Sequence, residues 1–425
     1  MGIGPVKVSK IAERMEIPGI NPKWAAPYFS LWASQALTLL GSQLASFVLI
    51  WHLTKTTESA TVLSLAMLLN LIPQIFLGPF AGVFIDRWSR KLVLISADVL
   101  IAIATLGLAA WLAFKGTNTS FIFMWIFILG IANGIINPSM LAITTSMVPN
   151  QHLTRLQGMN QTLQGGLNII AAPLGALLYE AWIMPKTLLV NSLPALIAII
   201  CLSLIVIPQP VKSGKVAGKY LQDLLVSLRY ILNWPALCML IGIAVIINFL
   251  DAPATALIPL LVSKHFLGDA LQLGWMNSTF GVGVILGGLL LSVWGGFRHR
   301  MVTVFTGLIG MGLGALLVGI APMTAFWLAV GGIFLKGMMQ SVANAPILAT
   351  LQSTVEPAMQ GRVMSLVISA TSAVAPIGLL ISSALGDRLS AQSWFIIFGC
   401  GSVILGITGF FIPTILRLGE PNAIA

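Results

Sequence analysis

The sequence predicts an all-α integral membrane protein: twelve transmembrane helices arranged as two six-helix halves related by pseudo-symmetry. Three observations carry this expectation. The chain of 425 residues is 57% hydrophobic and only 8% charged, whereas a soluble domain is about 25% charged. Its apolar residues gather in runs long enough to cross a hydrocarbon core, which needs roughly 20 residues as a helix. Its two halves also share a sparse internal repeat. With 22 Lys and Arg and 12 Asp and Glu, a soluble fold of this length could not cover its surface. The composition excludes an ordinary cytoplasmic enzyme and a disordered chain. The net charge of +10 does not indicate a nucleic-acid partner, because no basic stripe interleaved with aromatics is present.

The elements follow in order. Residues 1–25 carry Lys7, Lys10, Glu13, Arg14, Glu16 and Lys23 and lack the apolar core of a signal peptide. They read as a cytoplasmic N-terminal segment. The apolar runs then cover 26–52, 60–85, 91–113, 120–147, 158–182 and 187–207 in the first half, residues 26–207. The second half, 236–415, holds runs at 236–262, 271–297, 301–320, 324–350, 363–385 and 391–415. Gly and Pro inside several runs do not demote them to loops, since membrane helices tolerate both. The runs are continuous rather than alternating, so a barrel is not expected. Residues 208–235 form a cytoplasmic linker, and Tyr220 to Ile231 within it has the apolar spacing of an interfacial helix. Residues 416–425 form a cytoplasmic tail. With the N-terminus inside, sixteen of the 22 Lys and Arg fall in cytoplasmic segments and five in outer loops. This bias puts both termini in the cytoplasm, at a plasma (inner) membrane of bacterial type.

The repeat is visible as short matches in the same order. Pro138 and Pro149 have the spacing of Pro346 and Pro357. Ala172-Pro173-Leu174-Gly175 matches Ala375-Pro376-Ile377-Gly378. These offsets are close to half the chain, as expected of parallel repeats about an axis along the membrane normal, an arrangement that puts the substrate site between the halves. Pro173, Gly175, Pro376 and Gly378 are expected helix-bend positions.

The loop between spans two and three carries Gly78, Gly82, Asp86, Arg87, Arg90 and Lys91. The two glycines, four apart, present a bare face to another helix. Asp86 stands where the helix meets water and can accept bonds from a neighbouring helix N-terminus. The cations anchor the cytoplasmic face. Gly82-x-x-x-Asp86-Arg87-x-x-Arg90-Lys91 after the second of twelve spans resembles the signature loop of the major facilitator superfamily. Ser89 stands where that family usually has Gly, and Gly295 replaces the acid in the echoed loop of the second half. Leu65-Ala66-Met67, Pro73-Gln74, Gly78-Pro79, Ala97-Asp98 and Gln360-Gly361-Arg362 are similar to the macrolide-efflux-like branch of drug:proton antiporters. That branch also resembles siderophore exporters. The resemblance implies proton-driven export of amphipathic small molecules by a monomer. Many drug/proton antiporters carry Gly-Pro-x-x-Gly-Gly in span five, and this chain departs from that pattern with Ala172-Pro173-Leu174-Gly175-Ala176.

Ionisable residues inside spans are few, and each is a functional candidate. Asp251 in span seven and Lys336 in span ten both fall roughly 17 Å from the outer face at 1.5 Å per residue, so they could meet near the midplane. Two roles are open: proton or substrate binding, with the lysine shifting the affinity of the acid, or a structural pair. Asp98 in span three is either a second proton site or the partner of a cation in the signature loop or of Arg155. Neutral polar residues cluster on spans expected to line a cavity: Gln35 and Gln43, Asn133 and Asn137, Gln340 and Asn344, with Gln161, Gln164 and Asn168 in span five. They either orient a ligand or bond helix to helix.

Cys201, Cys238 and Cys400 lie in apolar runs, and the four His show no ligand spacing, so neither a metal site nor a cofactor is expected. No phosphate-binding Gly-rich loop is present, which argues against ATP-driven transport, and no nucleophile–base set points to an enzyme. The reading is a secondary transporter exporting a small amphipathic substrate against inward proton flow, with lipid as its surroundings. The alternatives are a carrier of one metabolite, siderophore or lipid without proton coupling, and a non-transporting receptor or scaffold.

Overall fold

The computed structural model describes residues 24–87, 89–115, 118–181, 184–205, 229, 231–355, 357–385 and 388–416. Every regular element among them is helical. Twelve helices are long and apolar enough to cross a membrane: α1 Ala25–Thr57, α2 Ala60–Arg87, α3 Arg90–Lys115, α4 Thr119–Met147, α5 Asn150–Ala181, α6 Met184–Leu204, α7 Pro235–Ala256, α8 Ala270–Trp294, α9 Arg300–Ile320, α10 Phe326–Thr354, α11 Pro357–Leu385 and α12 Ala391–Phe410. Of the expected cytoplasmic segment 1–25, the interfacial helix Tyr220 to Ile231 and the tail 416–425, all but Trp24, Ala25, Arg229, Ile231 and Leu416 lie outside the described residues.

Two helices start more than a turn before their apolar runs. α5 begins at Asn150 and α11 at Pro357, whereas the apolar runs begin at 158 and 363. The apolar part of α5 is Thr162–Ala181, so its first turns project beyond the hydrocarbon. Apolarity marks the membrane portion of a helix, while backbone hydrogen bonding carries the helix on into water.

Twelve crossings return the chain to the face on which it starts, so one face bears both ends of the bundle. On the opposite face the helix starts are capped by side chains. Asn118 accepts from the Ser120 amide at 2.9 Å, Asp269 from Gln272 at 2.8 Å and Ser390 from Ser393 at 3.2 Å. These caps satisfy amides that would otherwise end unpaired.

Helices α1 to α6 pack among themselves, as do α7 to α12, and the halves meet mainly through α5 against α8 and α2 against α11. Ser278 of α8 donates to the Ile169 carbonyl of α5 at 2.6 Å. On α2 and α11 the buried Ser64 and Ser382 hydroxyls are 2.6 Å apart, and Thr61 donates to the Ser383 carbonyl at 2.7 Å. These contacts lie toward the face opposite the termini, where Lys55 also donates to the Gly268 carbonyl at 3.1 Å. The halves are therefore closed against each other on that side.

The helix assignments run unbroken through Pro173 and Pro376. Their glycine partners mark close approaches. A Cβ on Gly175 would meet the Phe47 ring of α1 at 2.8 Å, and one on Gly378 would collide with the Phe249 carbonyl of α7.

Candidate functional site

The site in the second half begins with a proline. Pro253 has no amide hydrogen, so it cannot bond the Phe249 carbonyl one turn earlier. The freed carbonyl faces Gly378 of α11, where the missing side chain admits it. α7 then ends at Ala256 and continues as the short turn Ile258–Leu260 and the π-helical turn Leu261–His265. Asp251 and Thr255 sit at this disturbed end, one turn apart.

On α10, Lys336 is flanked by glycines that let two neighbours close in. A Cβ on Gly332 would sit 2.6 Å from the Gly314 carbonyl of α9, and one on Gly337 would sit 2.5 Å from the Phe280 carbonyl of α8. The lysine is consequently 2% exposed although it carries a charge. Its Nζ lies 2.6 Å from Asp251 Oδ1, off the axis of a well-angled hydrogen bond, and donates to Thr255 Oγ1 at 3.2 Å. Thr255 in turn donates to Asp251 Oδ2 at 3.4 Å. The rings of Phe398 and Phe280 face the ammonium with centroids at 5.2 and 5.7 Å, within cation–π range. Asp251 and Lys336 thus meet, as the depth count suggests they could.

Two cavities border this arrangement and a third lies in the first half. The one between the halves has a volume of about 430 Å³, with Gln43, Ser46 and Asn168 on one side and Thr255, Asn277 and Phe280 on the other. A cavity of about 80 Å³ inside the second half contains Asp251, Gln340 and Asn344. A cavity of about 350 Å³ inside the first half contains Gln35, Asn133, Asn137, Asn160 and Gln164. The polar candidates therefore divide among three chambers instead of lining one. The Lys336–Asp251–Thr255 cluster stands between two of them: Thr255 faces the cavity between the halves and Asp251 the small one.

Among the described residues the hydrogen-bond partner of Asp98 is an amide, while the side chain of Arg155, one of the cations the ion-pair reading offers, lies outside them. Asp98 is fully buried and accepts from Gln35 Nε2 at 2.9 Å. The nearby cations are used elsewhere: Arg90 Nη1 donates to the Ala142 carbonyl at 2.8 Å, and Lys91 Nζ to those of Ser203 and Ile205 at 2.6 and 3.0 Å. Both follow the positive-inside pattern, and these bonds tie them to main-chain carbonyls of α4 and of the end of α6. The side chains of Asp86, Arg87, Arg155 and Gln161, and the surroundings of Gly78 and Gly82, lie outside the described residues.

Sequence reasoning missed Thr255, Asn277 and Phe280. Nothing in an apolar run distinguishes them; the one available hint was Pro253, two residues before Thr255.

Two six-helix halves and a chamber shared between them, with Thr255 of the Lys336–Asp251 cluster in its wall, are the arrangement of a polytopic carrier. The model of the Major Facilitator Superfamily matches residues 31–266 and 240–423, and the chain belongs to that superfamily. It is 28% identical over 396 residues to macrolide efflux protein A of Streptococcus pyogenes, covering 93% of this chain and 98% of the relative. It is 21% identical to the multidrug efflux pump Tap of Mycolicibacterium fortuitum, covering 87% and 91%. Through these relatives the chain resembles the macrolide-efflux and drug branch of the superfamily. Among solved structures, the fold matches a D-xylose–proton symporter with TM-score 0.69 at 17% identity, covering 91% and 98%. It also matches the inward-open xylose transporter of E. coli with TM-score 0.65 at 16% identity, covering 90% and 96%. The protein is a multi-pass membrane transporter.

Proposed function

We propose that this transporter exports hydrophobic or amphipathic small molecules from the cell, driven by proton entry, with both termini in the cytoplasm of a bacterial cell and the chain acting as a monomer. The observation that carries the reading is the chamber of about 430 Å³ walled by both halves. Its volume falls in the range of small-molecule sites, about 300–1,000 Å³. Its walls suit an amphipathic guest: Phe47, Ile50, Met67 and Phe280 supply apolar surface, and Gln43, Asn168 and Asn277 supply a few oriented polar groups. The names of the curated relatives, macrolide and multidrug efflux proteins, agree with such a guest. In this reading Lys336 and Asp251 bind α10 to α7, so that the second half rocks as one body while the chamber changes the face it opens to.

The test uses purified protein in liposomes with an imposed pH gradient and a panel of macrolides and amphipathic dyes. Gradient-dependent efflux of several members is expected. Movement that ignores the gradient would refute proton coupling, and no movement of any member would refute the substrate class.

A further inference from the structure

The threonines of the bundle show what a helical hydroxyl ordinarily does. Thr54, Thr306 and Thr408 donate to the carbonyls of Ile50, Val302 and Ile404, one turn back, at 2.7, 2.8 and 2.8 Å. Each spends its one hydrogen on its own helix backbone. Thr255 instead points its hydrogen at the Asp251 carboxylate, with Oδ2 at 3.4 Å, beyond the roughly 2.5–3.0 Å of a good O–H···O bond. Its oxygen accepts from Lys336 Nζ at 3.2 Å. The hydroxyl therefore carries a cation on its oxygen and a weakly held hydrogen.

Thr255 is also exposed, and it forms part of the wall of the central chamber. Lys336 behind it is 2% exposed. Phe280, whose ring faces the same ammonium at 5.7 Å, lines the chamber too. The charge thus stands one side chain behind the wall, and Thr255 is the polar group that connects it to the chamber. Gln43, Ser46, Asn168 and Asn277 are neutral walls, and among the described walls Thr255 is the one hydrogen-bonded to a cation.

We propose that Thr255 is the specificity-determining residue of the central chamber: it donates to a carbonyl oxygen of the guest, and Lys336 is the positioning residue that polarises its hydroxyl from behind. The proposal rests on the export reading and deepens it by naming the group recognised, an uncharged carbonyl on an amphipathic body. With the chamber empty, the hydrogen rests against Asp251. When a carbonyl enters, rotation about the Cβ–Oγ1 bond turns the hydrogen into the chamber, while the oxygen keeps its bond from Lys336. Little is lost, because the bond given up is long. The Lys336–Asp251 contact at 2.6 Å is left in place, so no proton is transferred. A hydroxyl whose oxygen accepts from a cation is a stronger donor than one in isolation. Ile50, Met67 and Phe280 hold the apolar body. A guest without an acceptor leaves the hydroxyl against Asp251 and forfeits this bond.

The experiment is binding of prodan, an uncharged naphthalene dye with one carbonyl, to the purified full chain, followed by the infrared band of that carbonyl carrying an isotope label. The same dye with the carbonyl reduced to a methylene group is the control. Wild type is expected to bind prodan about tenfold more tightly than the control, and to move the carbonyl band to lower wavenumber than in protein-free detergent. Thr255→Val should lose both the preference and the shift, and Thr255→Ser should keep both. Lys336→Met combined with Asp251→Asn removes both charges; it should keep the donor but shrink the shift. Absence of saturable prodan binding by wild type, equal binding of the two dyes, or a shift that survives in Thr255→Val would each overturn the role of Thr255. A full shift in the double variant would overturn that of Lys336. Such failures leave gradient-driven efflux of the liposome panel untouched. Loss of all panel efflux with the shift intact would overturn the export reading alone.

Discussion

The charge pair of the second half makes a quantitative prediction because its two members are not equally buried. The Lys336 side chain is 2% exposed and that of Asp251 29%. At the observed 2.6 Å, two unit charges attract by about 6 kcal/mol with an effective dielectric of about 20. In Asp251→Asn the ammonium stays enclosed, with Thr255 and two ring faces for company. The new amide returns part of the lost attraction, and a net loss of about 3–5 kcal/mol follows for an uncompensated buried charge. In Lys336→Met the carboxylate remains, but it already borders the small cavity and can recruit water. The thioether also fills the space of the lysine stem, so the loss should fall to about 1–3 kcal/mol. The double variant leaves no charge behind and should lie close to wild type, since a buried pair replaced by neutral groups of similar volume is often neutral. The assay is the temperature at which half the detergent-purified protein survives heating as a monodisperse peak. The expected order is wild type and double variant, then Lys336→Met, then Asp251→Asn. If Lys336→Met were the less stable single variant, or if the double variant were no better than the worse single, the burial argument would be refuted.

Other expectations concern contacts between helices. A cysteine pair replacing Ser64 and Ser382, whose oxygens are 2.6 Å apart, should oxidise readily in a background lacking Cys201, Cys238 and Cys400. The disulfide should stop transport until a reductant is added, and undiminished transport by the oxidised protein would contradict the need for this contact to open. Gly287→Ala places a methyl group against the Met338 carbonyl of α10. It should lower stability by about 1–3 kcal/mol, measured as the same survival temperature. Gln43→Leu and Asn277→Leu, on opposite walls of the central chamber, should shift efflux toward more apolar panel members while leaving expression unchanged; an unaltered ranking in both would remove these amides from recognition.

The architecture was legible because a bilayer imposes it. Helix number follows from the length of apolar runs. Even the depth match of Asp251 and Lys336 needed only the rise per residue and a count from the nearest helix end. The direction in which a side chain points around its helix was not legible. In water, a helix shows its buried face by periodicity. In lipid, both faces are apolar and that period fades. Gln35, Gln43 and Gln340 are indistinguishable in sequence, yet they line three separate cavities. The same loss of signal hid the pairing of Asp98 with Gln35 across two helices. Arg90 and Lys91 are near the acid along the chain, but carbonyls of α4 and the end of α6 take their hydrogen bonds.

The contact between halves on the face away from the termini has the character a reversible closure needs. Its exposed ion pair, Glu58 with Lys264 at 3.6 Å, joins side chains 63% and 49% exposed, and such pairs contribute about 0–1 kcal/mol. The two turns that meet there, one after α1 and one before α8, hold the non-glycine residues Glu58 and Leu267 at φ of 47° and 51°. This is a left-handed conformation that costs each about 1–2 kcal/mol. The Ser64–Ser382 contact is buried, but Ser382 also donates to the Leu379 carbonyl at 3.1 Å, so removing the Ser64 hydroxyl leaves that of Ser382 satisfied. No single contact therefore holds this face shut, and opening requires only small losses spread over several sites. Truncation should accordingly do little, whereas added bulk should act strongly. Ser64→Leu drives a branched side chain into a junction with 0% exposure and should wedge the halves apart. A cysteine introduced for Asn277, in the chamber wall, would then react faster with a membrane-impermeant thiol reagent supplied at that face. An unchanged labelling rate would mean that closure depends on a stronger contact than any of these.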